Sequence, residues 1–326
     1  MTVTGIPVPP SHSTPTTPSS SPSSSALSLE GRRAIVTGTS SGLGRSIALR
    51  LAQLGCVVVC CDLVPSQRGY PADSIHSIPT HELIERNNGK GQGFLCPVDM
   101  TNYEAVSALV DFAVGTASPR GRLDIMVNNA GIGGHEEGSP NQGIHTERLD
   151  FAAKVMQVNW GGVWNGTRAA ATQMLKQSIE LFPSDLDISP YLGDVDQIDV
   201  QGQIVPAVEY RGSRGTIINM GSIHGLVAGP CKPAYSAAKS AVINLTRNVA
   251  LDYARDRINC NCICPGYCAV NMLGKPIAPE ISVRRICPWP HLGAARDIAR
   301  AVIYLARDAP WTTGAVMAVD GGTTAM

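Results

Sequence analysis

The chain has 326 residues, with 26 Lys and Arg balanced by 26 Asp and Glu and no formal net charge. That length accommodates one large α/β domain with added segments, and the balanced charge removes any electrostatic pull toward nucleic acid or an anionic membrane. No apolar run reaches the roughly 18 residues of a membrane span and no secretory leader pattern opens the chain, so a soluble, cytoplasmic protein is expected.

Residues 1–27 are dominated by Ser, Thr and Pro, which cannot bury enough apolar area to offset their ordering entropy. They are expected to form a disordered arm outside a folded unit of residues 28–326. The arm carries no Arg, unlike an amphipathic transit peptide. From residue 33 onward, short apolar runs alternate with helical patterns. Strands are predicted at 33–37, 57–61, 125–127, 215–220, 258–264 and 315–319, and helices at 44–54, 103–116, 149–177, 234–254 and 297–307. This alternation implies parallel βαβ units and a sheet covered on both faces, a single doubly wound α/β fold of the Rossmann type. Two stretches break the pattern. Residues 178–214, rich in Asp, Pro and Gly, read as a surface insertion, and residues 272–293, with four prolines, read as a substrate lid.

Among ten cysteines, Cys260, Cys262, Cys264 and Cys268 crowd one segment. Residues 258–264 alternate like a strand and put the first three on one face, where thiols pack as small hydrophobes; no metal site is expected.

The first strand runs through Thr37-Gly38-Thr39-Ser40-Ser41-Gly42-Leu43-Gly44 directly into a helix. Free backbone N–H groups and the helix dipole at such a terminus favour a pyrophosphate. Gly38 permits the tight turn, Gly42 lets the backbone approach phosphate, and Gly44 allows close helix-to-strand packing. Glycine clusters also mark ordinary turns, so the strand-turn-helix context carries the assignment. Asp62 ends the second strand 18 residues after Gly44. A carboxylate there accepts hydrogen bonds from both adenosine ribose hydroxyls and repels a 2′-phosphate, so NAD is expected over NADP.

With these residues the chain resembles the short-chain dehydrogenase/reductase family over residues 31–322. The glycine turn matches the family's TGxxxGxG, and Asn128-Asn129-Ala130-Gly131 matches its NNAG segment. By that resemblance Asn129, Ala130 and Gly131 support the adenine side, and Asp99, beside Met100, is its adenine-contacting aspartate. Asn159, Ser222, Tyr235 and Lys239 follow in the family's order, the tyrosine and lysine 13 and 17 residues after the serine. Pro265 and Gly266 are where the family turns beside the nicotinamide. The chain departs from the pattern at Val270, where relatives place a carboxamide-bonding threonine.

These residue types suit hydride chemistry. An alcohol proton must move with the hydride, and a free tyrosine, titrating near about pH 10, is a poor acid near neutrality. Lys239, one helical turn beyond Tyr235, shares its face and stabilises the tyrosinate. The resemblance also implies that this lysine holds the nicotinamide ribose, that Ser222 orients the substrate oxygen, and that Asn159 serves a proton relay.

The expected pocket wall comprises Ile132, Gly133 and His135, then Ile223, His224, Pro230 and Cys231, closed by Tyr267, Met272 and Trp289. Such a lining suits a mid-sized, mostly apolar alcohol or carbonyl substrate with one or two polar groups. His224 has two readings, a substrate-bonding or acid/base group and a packing residue. The resemblance implies an NAD(H)-dependent oxidoreductase acting on a secondary alcohol or ketone and forming a homodimer or homotetramer. A redox-neutral isomerase or cyclase of a natural-product intermediate and a non-catalytic dinucleotide-binding protein are the alternatives; the intact Asn159, Ser222, Tyr235 and Lys239 set favours hydride transfer.

Overall fold

The computed structural model describes residues 28–66, 74–115, 120–133, 143–181, 197–198, 202–205, 212–270 and 287–325. The predicted arm, most of the 178–214 insertion and residues 272–286 of the predicted lid lie outside them.

Seven strands form one parallel sheet: β1 (Arg33–Thr37), β2 (Val57–Asp62), β3 (Gly93–Pro97), β4 (Ile125–Asn128), β5 (Gly215–Met220), β6 (Ile258–Pro265) and β7 (Val316–Val319). Their order is β7-β6-β5-β4-β1-β2-β3. β1, β4 and β5 are buried throughout, and β2 nearly so, as expected of a sheet clad in helices on both faces. One face packs Ala34, Val36 and Val58 against Ile47 and Leu51 of α1 (Gly42–Gln53), and against a late helix whose Ile298 and Val302 reach the same core. The other packs Ile35, Val59, Met126 and Ile217 against α3 (Tyr103–Gly115) and the helices that follow β4. The chain reverses its outward winding between β1 and β4, which opens a crevice at their C-terminal ends.

β3 and α2 (Thr80–Asn88) are not announced by the sequence pattern. β3 is a short edge strand, only partly buried, so it shows neither a long apolar run nor clean alternation. α2 is mostly polar and buries only Thr80, Leu83 and Ile84. The helix predicted over 149–177 is interrupted. α4 (Leu149–Met156) passes through a π turn at Gln157–Gly161 into α5 (Gly162–Met174), and the chain then turns. Single π turns of this kind cluster at functional sites. Two further long helices follow, α6 (Pro233–Tyr253) with Pro233 in its first turn and α7 (Ala295–Ile303).

The described root of the insertion is anchored at the opposite end of the sheet from the crevice. Glu180–Leu181 pairs antiparallel with Gly212–Ser213. The Glu180 carboxylate meets Arg32 at 3.2 Å, Arg122 at 3.1 Å and also Arg120, while Asp124 takes Arg32 at 3.1 Å and Arg122 at 2.9 Å. Arg32 and Asp124 immediately precede β1 and β4, so this ion-pair network ties the insertion to the sheet's N-terminal edge.

Candidate active site

The glycine turn is shaped by what it cannot hold. A Cβ on Gly44 would lie 2.1 Å from the Gly38 carbonyl oxygen, and one on Gly38 would lie 2.8 Å from the Asn129 amide nitrogen. Gly38 and Gly42 both have positive φ, 73° and 54°, a conformation other residues rarely adopt. Around Gly42 the space is open, its nearest neighbour being the Val270 Cβ at 3.9 Å from a hypothetical Cβ. Val270 therefore faces the turn across the crevice. The arrangement is a backbone cradle of the kind a pyrophosphate occupies.

Side chains from neighbouring strands brace that cradle. The Thr37 hydroxyl accepts the N–H groups of Asn129 and Ala130 at 3.0 and 2.9 Å, and the Asn129 amide donates to the Thr37 carbonyl at 2.8 Å. Asp62 accepts the N–H groups of Ser40 at 2.9 Å and Leu63 at 2.7 Å. One bond to each oxygen leaves lone pairs for ribose hydroxyls. Asp99 is exposed and caps its own turn by accepting from the Thr101 N–H and hydroxyl, both at 2.9 Å, while Met100 beside it is buried.

At the other side of the crevice Ser222, two residues beyond β5, caps the one-turn helix Ile223–Leu226, its hydroxyl accepting the His224 N–H at 3.1 Å. That turn docks on α6. A Cβ on Gly225 would sit 2.8 Å from the Lys239 backbone, and the Ser240 hydroxyl donates to the Gly225 carbonyl at 3.0 Å. The contact fixes Ser222 relative to Tyr235 and Lys239. Lys239 is 5% exposed; its ammonium lies 5.8 Å from the Tyr235 ring centroid and donates to the Met220 carbonyl at 2.7 Å.

Asn159 sits fully buried in the π turn and pairs its amide with the Ile132 peptide in both directions, at 2.8 and 3.0 Å. A Cβ on Gly131 would fall 2.8 Å from the Asn159 carbonyl oxygen and 3.8 Å from the Lys239 ammonium. The asparagine side chain thus holds the segment after β4 beside the lysine.

A model described as short chain dehydrogenase matches residues 32–179, and one described as enoyl-(acyl carrier protein) reductase matches residues 202–324. The chain is 31% identical to 2-(S)-hydroxypropyl-CoM dehydrogenase 3 of Xanthobacter autotrophicus, over 89% of this chain and 96% of that one. It is 32% identical to 2-dehydro-3-deoxy-D-gluconate 5-dehydrogenase of Escherichia coli, over 91% and 97%, and 28% identical to the 7alpha-hydroxysteroid dehydrogenase of that species, over 91% and 95%. The chain belongs to the short-chain dehydrogenase/reductase family. It is an oxidoreductase of the alcohol dehydrogenase and ketoreductase type, a class that uses nicotinamide cofactors.

Beyond Ser222, the His224 ring stands edge-on to Tyr235 at 6.4 Å and to Tyr267 at 5.9 Å. Burial pushes the Tyr267 hydroxyl above its ordinary range, so it stays a donor at neutral pH. Cys231 is partly buried and has φ 58° in the loop before α6, and Gly133 is partly buried after the NNAG segment. His135 and Met272 lie outside the described residues. Trp289, expected in the lid, is 57% exposed; its indole donates to His291 at 3.0 Å, and its backbone N–H donates to the Gly321 carbonyl at 3.1 Å, which anchors it on the C-terminal turn.

The cysteines of β6 are all buried, with the Cys262 and Cys264 sulfurs 3.9 Å apart, and burial pushes the Cys268 thiol up to about 11. Among the described residues no three His, Cys, Asp or Glu side chains are grouped to hold a metal, and no helix is long and apolar enough to cross a membrane. Sequence reasoning missed a buried polar chain beneath the site. Asn128 donates to Thr167 at 3.1 Å and to Asn219 at 2.8 Å, and Asn219 donates to Thr246 at 3.0 Å, linking β4, β5, α5 and α6. The polar residues inside otherwise apolar strands were its only signal.

Proposed function

We propose that the protein transfers a hydride between NAD(H) and a secondary alcohol or ketone, with Tyr235 as the acid/base. The observation that carries this reading is the buried Lys239 ammonium above the Tyr235 ring, held by the Met220 carbonyl at the end of β5, two residues before Ser222. When bound, the nicotinamide supplies the hydride acceptor or donor.

The residues divide the remaining work. Tyr235 takes the alcohol proton during oxidation and returns it during reduction. Lys239 stabilises the tyrosinate by its charge and holds the nicotinamide ribose. The Ser222 hydroxyl, accepting from His224, keeps its own proton to donate to the substrate oxygen. Asn159 serves the proton relay by fixing the Ile132 peptide next to the lysine. Gly38, Ser40, Ser41, Gly42, Leu43 and Gly44 cradle the pyrophosphate, and the open space at Gly42 supports that role. Asp62 takes the ribose and selects NAD over NADP, while Asp99, Met100, Asn129, Ala130 and Gly131 border the adenine side. Pro265, Gly266 and Val270 border the nicotinamide.

Gly133, His224, Cys231 and Tyr267 form the substrate wall, with Trp289 at its rim. Donors from Tyr267 and His224 set among apolar groups suit a mid-sized alcohol or ketone with one further polar group. The protein works in the cytoplasm as a homodimer or homotetramer, for which exposed Leu149 and Trp164 on α4 and α5, and Leu251 on α6, offer apolar surface. The test is NADH formation from NAD and a panel of secondary alcohols, read by absorbance and repeated with NADP. Turnover with NAD at least about tenfold above NADP is expected; turnover with neither cofactor on any alcohol or ketone would refute the assignment.

A further inference from the structure

Arg45 poses a physical problem. It lies in the first turn of α1 and is only 8% exposed. A cation there opposes the positive end of the helix dipole, and burial lowers the guanidinium pKa below the ordinary arginine range. Such a group persists only where its donors are well satisfied.

They are satisfied by one segment. Arg45 Nη1 donates to the Ile78 carbonyl at 2.7 Å and to the Thr80 hydroxyl at 3.0 Å, and Nη2 donates to the Ile75 carbonyl at 2.7 Å. Thr80 is itself buried and passes the contact on, its hydroxyl donating to the Thr39 carbonyl at 2.6 Å. Thr39 is in the glycine turn. The next residue, Ser40, donates its N–H to Asp62, at the other end of the same β2-to-α2 connection. Both ends of that connection are therefore tied to two consecutive residues of the cradle, and Arg45 ties the later end. The nicotinamide side, with Lys239, Tyr235 and Val270, receives none of these bonds.

We propose that Arg45 is a positioning residue for the adenosine half of the dinucleotide, docking residues 74–80 against the glycine turn and so fixing the backbone that meets pyrophosphate and ribose. The role rests on the dinucleotide site proposed above. Lysine cannot take it over, because a single ammonium cannot span the three acceptors that the guanidinium fork reaches.

The test uses the full chain and two probes, NADH and ADP-ribose, which lacks the nicotinamide. Calorimetric titration of Arg45→Met is expected to weaken both by the same factor, about tenfold for a charged hydrogen-bonded group removed. KM for NAD rises with it and kcat does not follow. Amide hydrogen exchange across residues 74–80 accelerates without any cofactor present, and Arg45→Lys resembles Arg45→Met. Thr80→Val removes only the hydroxyl between Arg45 and Thr39, and it reads the same coupling at about threefold should Arg45→Met fail to fold. Wild-type affinity for ADP-ribose in a folded Arg45→Met variant or in Thr80→Val overturns the proposal, as does a loss confined to kcat. No binding of either probe to the wild-type protein would overturn the dinucleotide site itself.

Discussion

The two sides of the crevice are built by different means. On the cofactor side, side chains bond to the backbone of other elements: Thr37 to Asn129 and Ala130, Asn129 to Thr37, Asp62 to Ser40, Thr80 to Thr39. Across the crevice a side-chain bond, Ser240 to Gly225, joins packing contacts, Gly225 against the α6 backbone and His224 edge-on to two tyrosines. Backbone held by side-chain hydrogen bonds leaves little room for variation, whereas a wall of packed rings changes shape with each side chain. The relatives fit that division, being named for a hydroxypropyl-CoM, a deoxygluconate and a hydroxysteroid on what is one family framework.

The contrast can be broken at its most rigid point. Gly44→Ala drives a Cβ to within 2.1 Å of the Gly38 oxygen, and neither backbone can yield cheaply. A loss of NADH affinity of about a hundredfold, measured by titration, and a lower unfolding midpoint are expected. Near-normal affinity would mean that the turn is softer than its geometry implies. A smaller effect sharpens the comparison. Asp62→Ala keeps the cradle but removes the proposed ribose acceptor, so the proposed preference for NAD over NADP should fall about tenfold in kcat/KM. A variant as strict as the wild type would show that selection lies elsewhere.

The cofactor side was legible in the sequence because it depends on residue types that are chemically irreplaceable. Gly38 and Gly44 are there because no side chain fits, Gly42 because its φ is positive, and Asp62 ends a strand whose apolar run marks its register. The same holds for Tyr235 and Lys239, whose separation by one helical turn states their shared face. What escaped was set by tertiary context. Hydrophobic periodicity across residues 149–177 cannot reveal that five residues at Gln157–Gly161 wind as a π turn, nor that the Asn159 amide spends both its groups on Ile132. Trp289 reads as part of a lid from the prolines around it, and its bond to Gly321 at the C-terminal turn has no mark in the sequence. Arg45 looked like an ordinary helix residue, because nothing in its neighbourhood of sequence announces partners 30 to 35 positions away.

The central claim is that the Tyr235 hydroxyl moves the substrate proton beside bound nicotinamide. It is tested most directly by Tyr235→Phe, which deletes one oxygen, with turnover and NADH binding measured on the same preparation. Turnover about a thousandfold lower with NADH affinity within about twofold of wild type is the predicted result. Undiminished turnover in the folded variant would contradict it.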